Sequence, residues 1–233
     1  MILYVNGDSH TAGAEAVNSH AFADDDPAYK HLGRLPHPDN LEVSWGTQLA
    51  NLLKTGFHCD AESAASNSRI IRTTKEYTSK INKPDNFFFI IQLSTWEREE
   101  WLIDGNYYQV NASGIDIVPD NHKQRYKEYI ANIDWDKKTK QAHDDVIELH
   151  EFLEGHNLRH IFFNGNNTFS RIKKKYNFGT SYMQPYTKNF SFSDFLLNQN
   201  IQTVLPGSYH FGKDGHSKWA NVMLKYIIKN NLF

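Results

Sequence analysis

A serine at the tight end of a strand becomes a nucleophile when its hydroxyl stands clear of the chain and a nearby base takes its proton. Gly7-Asp8-Ser9 follows the apolar run Ile2 to Val5, and the small residues from Ser9 to Ala16 can open a helix. The first amides of such a helix have no intrahelical partner and can stabilise an oxyanion. The base has to come from elsewhere in the chain. The stretch Gly207-Ser208-Tyr209-His210-Phe211-Gly212-Lys213-Asp214-Gly215-His216 offers two histidines just before or at the start of a final amphipathic segment. A fold that delivers the ends of its strands to one rim would let Ser9 meet His210 or His216.

Other chemistry has less support. Arg98, beside Glu97, Glu99 and Glu100, can bind an anionic group of a substrate or simply join a surface ion pair. The run Arg171-Ile172-Lys173-Lys174-Lys175 reads as a solvated face. Twelve histidines occur, but His-Glu-x-x-His is absent and the single cysteine, Cys59, forms neither an internal disulfide nor a cysteine-based zinc site. No P-loop or dinucleotide fingerprint is present, so no cofactor is expected. With 25 basic and 27 acidic residues the net charge is -2, which gives no field for holding phosphate backbones or anionic lipid. Neither nucleic acid nor a membrane is expected as a partner. The sequence shows neither a membrane-length apolar run nor a signal-peptide pattern, and cytoplasmic location is the default expectation.

The 233 residues suit one domain with insertions. After the opening strand and turn, residues 20–44 carry Asp24 to Asp26, Pro27, Pro36 and Pro38 and read as a long surface loop. Trp45, Leu49, Leu52 and Leu53 keep helical spacing up to Gly56, an extended stretch covers Phe57 to Ala61, and a helix is predicted over Asn67 to Ile81. Phe87 to Leu93 is a continuous apolar run, the mark of a central buried strand. Residues 96–121 interrupt the alternation with a hairpin around Asp104-Gly105, and its Tyr107 and Tyr108 are candidate substrate contacts. Helical spacing returns at Tyr126 to Ile133 and at Ala142 to Leu153, followed by a strand over Arg159 to Phe163. The aromatics between Tyr176 and Phe195 suit either a platform for a ligand or ordinary packing. A final helix is marked by Trp219, Val222, Met223, Tyr226 and Ile227. Strands alternating with helices in this way predict an α/β fold: a three-layer α/β/α sandwich, with a mainly parallel sheet and ligands beyond the carboxyl ends of its strands.

Gly7-Asp8-Ser9-His10-Thr11-Ala12-Gly13 matches the first block of the SGNH hydrolase superfamily, the GDSL esterases and lipases, and nearly the whole chain resembles that group. The resemblance implies a flavodoxin-like sheet, Ser9 as nucleophile and the Ser9 amide as an oxyanion donor. Ala64-Ala65-Ser66-Asn67-Ser68-Arg69 is similar to a degenerate second block, in which Ala64 stands where the oxyanion glycine is usual and Asn67 becomes a candidate substrate contact. In the third block Ser94 takes the place of the usual oxyanion asparagine. In the last block His210 precedes Gly215 by the usual five residues, which makes it the implied base with His216 as the alternative. The aspartate expected three residues before the histidine is Gly207, leaving a backbone carbonyl, Asp214 or another acid to orient the imidazole. The implied reaction is hydrolysis of an acyl ester through a Ser9 acyl-enzyme, on an O-acetylated carbohydrate or other small polar ester. The altered blocks keep a second expectation open: a non-catalytic glycan-binding protein on the same scaffold.

Overall fold

Strands made of consecutive rather than alternating apolar residues are buried on both faces, and the computed structural model places three such runs side by side. It describes residues 1–21, 35–112, 114 and 118–233. The strands are β1 (Ile2–Asn6), β2 (Gly56–Cys59), β3 (Phe87–Leu93), β4 (Glu99–Ile103), β5 (Asn106–Val110) and β6 (Arg159–Asn164). The helices are α1 (Ser9–Ala12), α2 (Pro38–Glu42), α3 (Trp45–Leu53), α4 (Asn67–Thr78), α5 (Lys123–Ala131), α6 (Trp135–Gly155), α7 (Phe192–Asn198) and α8 (Lys213–Lys229).

The main sheet has the order β2-β1-β3-β6 and every pairing in it is parallel. Alternate side chains of one strand enter different cores. Leu3, Val5, Phe88, Ile90, Ile161 and Phe163 pack with Trp45 and Leu49 of α3 and with Trp219 and Met223 of α8. Tyr4, Phe89, Ile91 and Phe162 pack on the other face, with Ile70 of α4 and Val146, Leu149 and Leu153 of α6. The result is the predicted α/β/α layering. Burial of each large side chain contributes about 1.5–3 kcal/mol, so the two sheet faces hold the fold without a disulfide.

The hairpin expected within 96–121 is β4-β5, turning at Asp104 and Gly105, whose φ angles are 49° and 81°. It buries Trp101, Ile103 and Val110 against Tyr126 of α5. Other expectations shift. Within 20–44 the short helix α2 forms, with Pro38 in its first turn and His37 accepting from the Asp39 amide; the rest of that expectation falls mostly on residues 22–34, outside the described ones. Helix α4 ends at Thr78 rather than Ile81. No further named strand precedes α8 among the described residues. Beyond β6 there is a single parallel bridge, Phe162 to Tyr182, and the approach to α8 is fixed by an antiparallel bridge between Thr203 and Phe211. The aromatics Phe178, Tyr182 and Phe192 are core side chains, so for them packing is the observed role. No helix among the described residues is long and apolar enough to cross a membrane.

Candidate active site

In an open parallel sheet ligands gather beyond the carboxyl ends of the strands, where the strand order reverses. Here that point lies between β1 and β3. The chain leaves β1 at Asn6 and reaches Asp8, which caps α1 by accepting from the His10 amide at 3.0 Å. The carboxylate of Asp8 is fully buried and accepts three side-chain bonds as well: Gln92 Nε2 at 2.6 Å, Ser94 Oγ at 2.8 Å and Arg98 Nη1 at 3.1 Å. Burial alone would raise its pKa. The neighbouring His10 and Arg98, with the bonds from Ser94 and Gln92, instead hold the carboxyl below the usual range.

Gly7 makes that packing possible. A Cβ there would overlap Thr11 Oγ1 and stand 2.8 Å from Gln92 Cβ, while Thr11 Oγ1 donates to Gln92 Oε1 at 2.6 Å. Gly7→Ala is therefore expected to destabilise the chain by about 1–3 kcal/mol, the usual range for overpacking, read as a lower urea midpoint at unchanged slope.

Ser9 follows in the first turn of α1 and is 7% exposed, and its hydroxyl has no hydrogen-bond partner among the described residues. His10 is also buried. Its Nε2 donates to Asn166 Oδ1 at 3.2 Å, beyond the end of β6, and lies 3.4 Å from Ser193 Oγ of α7. Burial pushes the His10 pKa down to about 4, against the opposing pull of Asp8.

The two candidate bases are placed differently. The ring of His210 stands edge-on to that of His10, with centroids 5.8 Å apart, which brings the end of the chain to the segment that carries Ser9. Its Nδ1 donates to Glu15 Oε2 at 2.9 Å, leaving the lone pair of the neutral ring on Nε2. His216 lies in the core of α8. Its Nδ1 accepts from the Trp45 amide at 3.2 Å, and burial lowers its pKa to about 3. It therefore holds the first amide of α3 from across the core, and its Nδ1 is not free to take a proton from Ser9. Asp214 is exposed in the first turn of α8. The carboxylate on His210 is that of Glu15, which sequence reasoning missed because no motif marks it.

The second and third blocks also take definite places. The turn before α4 is tied to the Gly7-Asp8-Ser9 segment by the Glu62 amide donating to Gly7 O at 3.2 Å. Ala64 in that turn has φ 67°, the left-handed region that favours glycine, so the backbone keeps the shape that glycine would take. Ser94 departs from its expected role. Its one proton goes to Asp8 Oδ2, and its oxygen accepts from Arg98 Nη1 at 2.9 Å, so the hydroxyl has no donor left for an oxyanion. Asn67 clamps the backbone of Ser94, accepting from its amide at 2.8 Å and donating to its carbonyl at 3.4 Å. Arg98 is neither a surface ion pair nor a free anion receptor but the cation of the Asp8 cluster. Asn67 and Arg98 line a cavity of about 730 Å³ together with Trp96, Tyr129 and Lys138. Tyr107 lies under Arg72 on the edge of a separate cavity of about 340 Å³, and Tyr108 faces the other way, onto the hairpin core.

A family model described as a family of unknown function, DUF6071, matches residues 35–181. The chain belongs to that family. The stretch that places it in DUF6071 contains Ala64, Asn67, Ser94 and Arg98 but neither Ser9 nor His210. No curated protein matches the chain. Among solved structures it is similar to an acetyl xylan esterase from the rumen bacterium Butyrivibrio proteoclasticus, at 15% identity and a TM-score of 0.48. That match covers 100% of this chain and 65% of the esterase, so this DUF6071 chain spans about two thirds of its length. A protein described as lipolytic and of the G-D-S-L family, from Desulfitobacterium hafniense DCB-2, matches at 11% identity and a TM-score of 0.33, with 97% of this chain and 98% of that one covered.

Proposed function

We propose that the chain is a serine esterase of SGNH type. The observation that carries this reading is the meeting of the two chain ends at the strand-order switch: a nearly buried, unbonded Ser9 hydroxyl on one segment, and facing that segment an imidazole, His210, whose Nε2 is left as acceptor. In the reaction His210 Nε2 takes the proton from Ser9 Oγ, which attacks the carbonyl carbon of the ester. The tetrahedral oxyanion is met by the backbone amides of Ser9 and Ala64. The alcohol leaves with the proton returned by His210, and water, activated by the same ring, releases the acid from the acyl-enzyme. A cavity with both aromatic and charged walls meets the Asp8 cluster at Arg98, though neither Ser9 nor His210 lines it, and it suits the polar part of an ester such as an O-acetylated carbohydrate.

The rival reading, a glycan-binding protein without catalysis, draws on two observations: Ser9 Oγ is bonded to neither histidine, and the Ser94 proton is taken up by Asp8. A fluorophosphonate separates the two. The esterase reading expects a single covalent adduct on the peptide that holds Ser9. An unlabelled chain, or an adduct elsewhere, rejects it.

A further inference from the structure

The last block of the sequence has glycine where an orienting acid would stand, and Asp214 points to solvent. We propose that Glu15 is the positioning residue for His210, so that the acid comes from the same short segment as the nucleophile. This inference rests on the Ser9 and His210 reading above and deepens it.

Three groups close a ring. Glu15 Oε2 accepts from His210 Nδ1 and from Ser208 Oγ, each at 2.9 Å, and Ser208 Oγ accepts from the His210 amide at 3.0 Å. The imidazole is thus held at its Nδ1 and at its own backbone, which fixes both ring orientation and tautomer. Burial raises the Glu15 pKa, but the bonds from His210 and Ser208 outweigh it and keep the carboxyl below its ordinary value, so it is an anion at neutral pH.

The backbone is bent to make this contact. Gly13 and Glu15 both take left-handed φ angles, 72° and 63°. For a glutamate that conformation is unfavourable, so the surroundings must impose it. They do so through the Ala14 amide to Ser9 O, the Ala16 amide to Gly13 O, and the buried side chain of Asn40. The last accepts from the amides of Val17 and Asn18 and donates to the carbonyls of Asn18 and His20. The titratable groups facing His210 are Glu15 and His10 from this segment and His216 from α8. His10 and His216 are held neutral down to about pH 4 and 3. The carboxylate is therefore the charge that the imidazolium meets as the Ser9 proton arrives.

The test compares wild type with Glu15→Gln, which keeps the shape and removes the charge, and with Glu15→Asp. Glu15→Gln is expected to lower kcat on p-nitrophenyl acetate about 100-fold with KM changed less than about three-fold. The His210 Nδ1 proton, followed by NMR, is expected to lose its downfield, exchange-protected signal in Glu15→Gln, because the carboxylate that holds it is gone. Glu15→Asp is expected to recover part of the lost kcat. An active wild type whose Glu15→Gln variant keeps its kcat and its Nδ1 proton signal overturns this proposal alone, as does a variant altered only in its urea midpoint. A wild type that hydrolyses no ester overturns the esterase reading first, and this one with it.

Discussion

Ser9→Ala is expected to lower turnover of p-nitrophenyl acetate by about 1000-fold or more while changing stability by less than about 0.5 kcal/mol. The two halves have separate causes. The Ser9 hydroxyl has no hydrogen-bond partner among the described residues, so its loss leaves no buried donor or acceptor stranded. The cap of α1 is the carboxylate of Asp8, and the variant leaves it in place. Chemistry has no such reserve. Without Oγ no acyl-enzyme forms, and what remains is attack by water on a bound ester, assisted by backbone amides. Steady-state kinetics with urea unfolding of both proteins reads the two effects together. Equal rates in the two proteins would remove the nucleophile. A large fall in stability would mean instead that Ser9 has a packing role that its missing bonds do not reveal.

Much of this was legible in the sequence, and the limits have physical causes. Runs such as Phe87 to Leu93 mark strands buried on both faces, because successive side chains turn to opposite faces of the sheet and a helical layer covers each, so that Phe88 to Leu93 are all buried. The Asp104-Gly105 turn declared its hairpin through the left-handed conformations it needs. Local chemistry of that kind travels with the residues themselves. Long-range pairing does not. Glu15 reaches His210 only because two left-handed residues turn the chain after α1, and nothing about a glutamate announces such a bend. The resemblance implies Ser94 as an oxyanion donor, yet the direction of one hydroxyl proton is decided by Asp8 at the start of α1. His210 and His216 stand six positions apart in similar surroundings of sequence. What separates them is the onset of α8, which turns one ring into the core to meet the Trp45 amide and leaves the other at the rim.

Acid should unfold this chain earlier than its carboxylates alone would require. Burial lowers the pKa of His10 and His160 to about 4 and that of His216 to about 3. Burial is the largest cause in each case and outweighs bonds that favour the charged ring, from His10 Nε2 to Asn166 Oδ1 and from His160 Nδ1 to Leu158 O, while His216 Nδ1 accepts from the Trp45 amide, which only a neutral nitrogen can do. The folded values lie below the unfolded value of about 6.5, so the unfolded chain binds the proton first. Stability is then fully present above about pH 6.5 and is lost as the pH falls through the window toward 4. At pH 5 the loss is about 2 kcal/mol for each of the three rings, a large share of the stability of a typical domain. His143 and His150 are shifted in the same direction. The lowered carboxyls of Asp8, Glu15 and Asp60 act in a separate window, below the ordinary carboxylate range, and so do not obscure the effect. Urea unfolding at steps between pH 7 and 4.5 is expected to show a slope of two to three protons taken up on unfolding near pH 5. A slope below one proton would mean that these imidazoles open to water without unfolding, and the neutral, buried environment drawn here for His10 beside Ser9 would fall with it.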